Sequence, residues 1–87
     1  MDEHARRLCA PLLASWADFE QGRATLLDVS RLAEQASDGL DNASAPLPRE
    51  LHEAAADLEY AYFASEREEH LSAGRRILGP LLTQMES

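Results

Sequence analysis

The stretch LLASWADFEQGRATLLD, residues 12–28, holds the end of one helix and the start of the next. Leu12, Trp16 and Phe19 recur at steps of three and four residues, which places their side chains on one face of a helix. Gly22 supplies the stop, because glycine readily adopts the left-handed backbone that ends a helix. The stretch therefore predicts two helices joined by a short turn.

Outward from this turn, the remaining sequence repeats the pattern of apolar stripes and helix starts. Thr25, followed three residues later by Asp28, resembles a capping box with Asp in place of the usual Glu or Gln. Ser65 and Glu68 have the same spacing ahead of the last apolar stripe. Four segments carry helical periodicity, and we predict helices over about residues 2–21, 25–38, 48–64 and 66–85.

Glycine and proline set the expected boundaries between these helices. Gly39 is placed to act as the left-handed cap of the second helix. Residues 40–47 carry no periodicity and are the longest predicted loop, and Pro48 suits the first turn of the third helix. Pro11 and Pro80 fall on the polar sides of their helices, where we expect a kink or a break.

Composition restricts the fold class. The chain has 87 residues, with fifteen Ala and fourteen Leu against one Val, one Ile and two Thr. Because β-branched residues favour strands, their scarcity argues against a substantial sheet. We predict an all-α fold, a small antiparallel four-helix bundle formed by one domain over residues 1–87. Large apolar side chains make up its predicted core: Leu8, Leu12, Trp16, Phe19, Leu26, Val29, Leu32, Leu51, Leu58, Tyr62, Leu71, Leu78, Leu81 and Leu82.

The charge balance indicates what kind of partner to expect. Sixteen acidic residues face eight arginines, with no lysine, for a net charge of −8. That charge disfavours nucleic acid and anionic membranes and favours a basic protein. Arg6, Arg7 and the short apolar run after them resemble a signal peptide, but Asp2 and Glu3 are out of place in one. We therefore expect a cytoplasmic protein that does not enter a membrane.

Residues for catalysis or metal binding are few. His4, His52 and His70 lie on three different predicted helices, and the residue three before His52 and His70 is an arginine, not the glutamate of a di-iron motif. Cys9 is the only cysteine, so it forms no internal disulfide, and beside an apolar stripe it is typical of a small core residue. We expect no metal, no cofactor and no enzymatic activity.

The acidic residues of the second half are more informative. Glu50, Glu53 and Asp57 lie on the side of the third helix away from its apolar stripe, with no Lys or Arg four residues on. Like charges at this spacing destabilise a helix by a few tenths of a kcal/mol, so their presence needs a reason. Tyr60 lies beside them, and tyrosine is a frequent interface anchor. The alternative interpretation is a solvated face with an incidental tyrosine.

A second acidic group opens the fourth helix. Glu66, Glu68 and Glu69 lie where the positive end of the helix dipole stabilises negative charge, which is an alternative explanation for them. With the first group they give six candidate partner-binding residues: Glu50, Glu53, Asp57, Tyr60, Glu66 and Glu69.

The helix-turn-helix opening also resembles a known family. The pattern Leu12-Leu13-x-x-Trp16-x-x-Phe19-x-x-Gly22-x-x-Thr25-Leu26-x-Asp28, followed by a proline-containing loop and two further helices, resembles the colicin D immunity protein group and related bacteriocin-immunity proteins. The resemblance implies a small acidic four-helix protein that binds the basic tRNA-cleaving domain of a toxin. It implies inhibition by imitation of the phosphates of the substrate, and it transfers no individual residue role.

Two functions therefore stay open. The first is an immunity or antitoxin-type protein that blocks a basic toxin domain, such as a nuclease, through its acidic face. The alternative is a small helical protein-interaction or oligomerisation module. A homodimer that covers apolar residues such as Leu13 or Phe63 is compatible with either function.

Overall fold

A computed structural model describes residues 2–40 and 46–86 of the chain. These residues are almost entirely helical, and no strand occurs among them. A one-turn 3-10 helix, Arg67–Glu69, leads into the last α-helix. The prediction of an all-α, four-helix fold is confirmed, with these bounds: α1 Glu3–Glu20, α2 Leu26–Gly39, α3 Leu47–Ala64 and α4 His70–Glu86.

The first two helices begin at side-chain caps, and a glycine turn joins them. The Asp2 side chain accepts a hydrogen bond from the Ala5 N–H at 2.8 Å and caps α1. Thr25 and Asp28 form the predicted capping box: the Thr25 hydroxyl accepts from the Asp28 N–H at 3.1 Å, and the Asp28 carboxylate accepts from the Thr25 N–H at 2.9 Å. Gly22 has a φ of +79°, the left-handed conformation that turns the chain between α1 and α2.

The predicted role of Gly39 as a left-handed cap is wrong. Gly39 is the last residue of α2, and Leu40 follows as the cap with a φ of −96°. A Cβ atom at Gly39 would lie 2.9 Å from Cδ2 of Leu8. The glycine therefore gives room to the Leu8 side chain of α1, and it does not reverse the chain.

The predicted capping box at Ser65 and Glu68 is also wrong, by one residue. The Ser65 hydroxyl donates instead to the Ala61 carbonyl at 2.6 Å, at the end of α3. The Glu66 N–H donates to the Glu69 carboxylate at 2.9 Å, so the cap lies at Glu66 and Glu69. Because the Ser65 hydroxyl is engaged by the preceding helix, the 3-10 turn starts one residue later.

The prolines do not break the helices. Pro11 and Pro80 lie inside α1 and α4, and both are exposed. Pro48 occupies the first turn of α3, as predicted, although that helix already begins at Leu47. Most of the predicted loop, residues 41–45, lies outside the described residues.

The helices are packed so that each touches its neighbour in the chain and α4 returns to contact α1, with the most extensive contact between α2 and α3. Two buried or half-buried hydroxyls join α2 to α3: Ser30 donates to the Ala55 carbonyl at 2.7 Å, and Ser37 donates to the Pro48 carbonyl at 2.6 Å. Seven residues forward along α2 thus correspond to seven residues back along α3, so these two helices run in opposite directions. The antiparallel order of the whole fold stays a prediction.

Most of the predicted core is confirmed. Four of its members, Leu8, Leu32, Tyr62 and Leu82, are only partly buried. Leu71 is wrong, because 37% of it is exposed: it lies in the first turn of α4, where the neighbouring helices leave its side chain partly uncovered. Nine predicted residues are buried: Leu12, Trp16, Phe19, Leu26, Val29, Leu51, Leu58, Leu78 and Leu81.

A glycine sets the approach of α4 to α1. The Trp16 and Phe19 rings lie 5.3 Å apart between centroids and are tilted by 41°. Gly74 of α4 lies against these rings, and a Cβ atom there would be 2.9 Å from the Phe19 ring and 3.1 Å from the Trp16 ring. Close packing at Gly74 fixes one side of α4 against α1, and the opposite side faces a groove along α3.

Candidate protein-binding surface

The outer face of α3 carries the predicted acidic row. Glu53 and Asp57 are exposed, and Glu50 is half-buried. Their spacing of three and four residues makes them neighbours on the helix surface, with about 5–6 Å between successive Cβ atoms. Among the described residues, no basic side chain forms an ion pair with any of the three. The row therefore keeps its negative charge without internal compensation.

Acidic residues on α1 and α2 differ from the α3 row because several of them form ion pairs. Three of them have an arginine partner, in these pairs: Glu3–Arg7 at 3.0 Å, Asp18–Arg23 at 3.2 Å and Glu20–Arg75 at 3.6 Å. The Glu34 carboxylate lies 3.0 Å from Nδ1 of His52. Residues 50–69, in contrast, contain seven acids and one arginine. The excess negative charge of the protein is therefore concentrated on α3 and the turn that follows it.

Exposed aromatic side chains lie in the same part of the chain. Tyr60 is 75% exposed and Phe63 is 72% exposed. The Phe63 ring packs edge-on against the half-buried Tyr62 at 4.9 Å between centroids, and Tyr62 also lies 5.6 Å from the His70 ring. Large aromatics left open to solvent beside uncompensated charge are typical of a surface that meets a partner.

A groove of about 600 Å³ runs between the end of α3 and the start of α4. Its floor is made of Ala61 and Ala73, which are 7% and 6% exposed, together with the half-buried Ile77. Polar and charged side chains form the walls. The wall and remaining lining residues are Asp57, Tyr60, Ala64, Ser65, Glu68, Glu69, Ser72 and Arg76.

The structure brings half of the six predicted residues together. Asp57, Tyr60 and Glu69 line the groove, whereas Glu50 and Glu53 lie nearer the start of α3. Glu66 is exposed but does not line the groove.

Glu69 has a structural role as well. Its carboxylate accepts the Glu66 N–H, so part of its charge already serves the start of the last helix. The alternative explanation by helix capping therefore holds for Glu69, while no equivalent contact exists for Glu53 or Asp57 among the described residues.

Eight of the eleven lining residues were not among the six candidates, and Glu68, Ser72 and Arg76 are three of these eight. Glu68 lies in the 3-10 turn, and Ser72 and Arg76 follow it at steps of four residues on one face of α4. That periodic signal was present in the sequence. It identifies a groove only when the alanines across it are known to be neighbours, and that requires the packing of α3 against α4.

Metal-binding side chains and the single thiol are the other groups that could form a chemical site. Within residues 2–40 and 46–86, no three His, Cys, Asp or Glu side chains are grouped so that they could hold a metal ion. The Cys9 thiol is fully buried, and this burial raises the pKa of the thiol above its ordinary value. No helix in the described part of the chain has the length and apolar character needed to cross a membrane.

Comparison with protein-family models, with curated proteins and with solved structures gives no match for this chain. The function must therefore be argued from the surface itself, and the most distinctive surface is the acidic, aromatic side of α3 with its groove.

Proposed function

We propose that this protein is an immunity or antitoxin-type inhibitor that binds a basic toxin domain, of the nuclease class, and covers its active site. The observation that carries the proposal is the uncompensated acidic row on α3, Glu50, Glu53 and Asp57, beside the exposed ring of Tyr60. A nuclease active site is built to receive phosphates, and a row of carboxylates presents negative charge at regular spacing in their place.

The two kinds of side chain in this surface have different tasks. Carboxylates at the rim of an interface act mainly on the rate of encounter, because their field attracts a basic partner over a Debye length. A central aromatic acts mainly on dissociation, because it is desolvated in the complex. The resemblance to bacteriocin-immunity proteins in the helical opening supports the same function.

The test begins with the neighbouring genes: a basic toxin domain encoded there is the partner that the proposal expects, and it is expressed and purified. Glu53→Lys with Asp57→Lys should slow association at low salt by tenfold or more, because repulsion replaces attraction. Both positions are exposed, so helix content should not change. Asp38→Lys with Glu86→Lys is the matched control, since these exposed acids lie off the α3 face and give the same change in net charge.

Three outcomes would overturn the proposal. The first is that no basic domain encoded beside this gene binds the protein. The second is that bound toxin keeps its full nuclease activity. The third is an equal loss of association rate in the test and control variants, which would assign the effect to net charge and not to the α3 face.

The alternative function, an oligomerisation module, is favoured by one specific observation, the 72% exposure of the Phe63 side chain. A large apolar ring on the surface can be covered by a second copy. Sedimentation of the purified protein over a range of concentrations shows whether Phe63 mediates self-association. A stable dimer that the Phe63→Ser variant dissociates, together with no binding of a basic toxin domain, would favour the module. Toxin binding that the Phe63→Ser variant retains would favour the inhibitor.

A further inference from the structure

The groove between α3 and α4 combines an apolar floor with charged walls, and the acidic row alone does not account for it. We propose that the groove receives a short cationic segment of the partner, with one apolar side chain on the alanine floor and flanking Lys or Arg side chains at Asp57 and Glu68. This inference rests on the proposed function only in taking the partner to be basic.

The size of the groove fits a short segment. Its volume of about 600 Å³ lies in the range of about 300–1,000 Å³ that sites for drug-sized molecules occupy. This is room for a few side chains. Because the side chains of Ala61 and Ala73 end at Cβ, the space above them stays open. A leucine-sized side chain of the partner would cover this floor and gain apolar burial.

The charges on the walls determine whether a positively or a negatively charged segment binds in the groove. Asp57 and Glu68 are exposed acids, and neither forms an ion pair within the described residues. Arg76 is the only basic residue among those that line the groove, and it opposes a cationic occupant. Removal of a wall acid should therefore weaken the binding of a cation, and removal of Arg76 should strengthen it.

The same charges disfavour a second copy of the chain as the occupant. In a symmetric dimer the same patch is used on both subunits, so two patches that each carry Asp57, Glu68 and Glu69 against one Arg76 would be brought together, with net repulsion. Like charges facing each other across an interface cost several kcal/mol. A basic partner would instead be attracted by these acids.

The experiment uses the full chain labelled with ¹⁵N and a defined probe, an acetylated and amidated Arg-Arg-Leu-Arg-Arg peptide. We expect amide shifts concentrated at Ala61, Ala64, Ala73 and Ile77, with weaker binding of an Arg-Arg-Ser-Arg-Arg peptide that lacks the apolar side chain. Shifts spread evenly over the acids of all four helices, or equal affinity for both peptides and for spermine, would overturn the inference.

Two tryptophan variants test the same point without a change in net charge, and two glutamine variants test the charges of the walls. Ala64→Trp fills the groove from an exposed position and should lower peptide affinity by tenfold or more. Ala56→Trp is the matched control, because Ala56 is exposed on the same helix and does not line the groove. Arg76→Gln should raise the affinity, and Glu68→Gln should lower it. Equal peptide affinity in the two Trp variants would refute the groove as the binding site.

The results also separate this inference from the proposed function. If toxin binding is lost in the Glu53 and Asp57 lysine variants but unaffected by Ala64→Trp, the function stands and the groove inference fails. If the peptide binds in the groove but the basic toxin domain does not bind the protein, the groove inference stands and the proposed function fails.

Discussion

Replacement of Gly74 by alanine tests the contact that positions α4. In an exposed part of a helix this change would stabilise the protein by about 1 kcal/mol, because glycine is the poorer helix former. At Gly74, however, the new methyl group would lie 2.9 Å from Cε2 of Phe19 and 3.1 Å from Cζ3 of Trp16. These atoms belong to two rigid rings that already pack on each other, so neither ring can move without disturbing the other.

The two effects have opposite signs, and the steric one is larger. Extra atoms in a packed core cost about 1–3 kcal/mol. After the gain in helix propensity is subtracted, we expect Gly74→Ala to lower the free energy of unfolding by about 1 kcal/mol, with an upper limit of about 2 kcal/mol. For a domain of this length, 1 kcal/mol corresponds to a fall in Tm of about 4–8 °C.

Thermal and urea unfolding followed by circular dichroism measure this change. Gly79→Ala is the control, since a Cβ atom there meets nothing within 4 Å. Alanine is the better helix former, but part of this gain is lost at position 79 because the next residue is Pro80. We therefore expect Gly79→Ala to raise the free energy of unfolding by between zero and about 1 kcal/mol. When Phe19 is first replaced by leucine, the ring that meets the new methyl group is gone. Gly74→Ala should then lower the free energy of unfolding by at least about 0.5 kcal/mol less than it does in the wild type. A Gly74→Ala protein as stable as the wild type would refute the packing argument.

Two further predictions concern the core. Leu58→Ala should cost about 2–5 kcal/mol in urea unfolding, because Leu58 is 0% exposed and its loss leaves a cavity; a cost below about 1 kcal/mol would contradict this position. Burial raises the pKa of the Cys9 thiol, so at alkaline pH the unfolded chain releases the thiol proton before the folded protein does. The stability of the wild type should therefore fall relative to Cys9→Ala as the pH rises from about 7 to 10, and parallel Tm curves would contradict this.

The fold was predictable where local chemistry alone decides it. Apolar spacing located the four helices, and the side chains at Thr25 and Asp28 located a helix start, because each of these signals lies within a few residues. Gly39 was misassigned because the contact that requires a glycine there is with the Leu8 side chain, which is distant in the sequence. The shift of the last capping box has a local cause, because the Ser65 hydroxyl donates to the Ala61 carbonyl four residues back, and Glu66 and Glu69 offer the same capping spacing one residue later.

The candidate surface was predictable in its charge and not in its shape. The row Glu50, Glu53 and Asp57 follows from helical spacing alone, and so does the outward direction of Tyr60. The groove depends on how close α3 lies to α4, which is a property of both helices together. A sequence shows which residues share a face, but it does not show which face lies opposite.

The two serine hydrogen bonds between α2 and α3 have a consequence for folding specificity. Both helices bury alanines together with larger apolar side chains along these faces. Because apolar residues recur every three or four positions, a slip of one helical turn, about 5.4 Å, would again bring apolar side chains against one another. It would, however, separate the Ser30 and Ser37 hydroxyls from the carbonyls of Ala55 and Pro48, and each buried hydroxyl left unpaired costs about 1–3 kcal/mol. The two hydrogen bonds, two turns apart on α2, therefore favour one register of α2 against α3 over the registers one turn away.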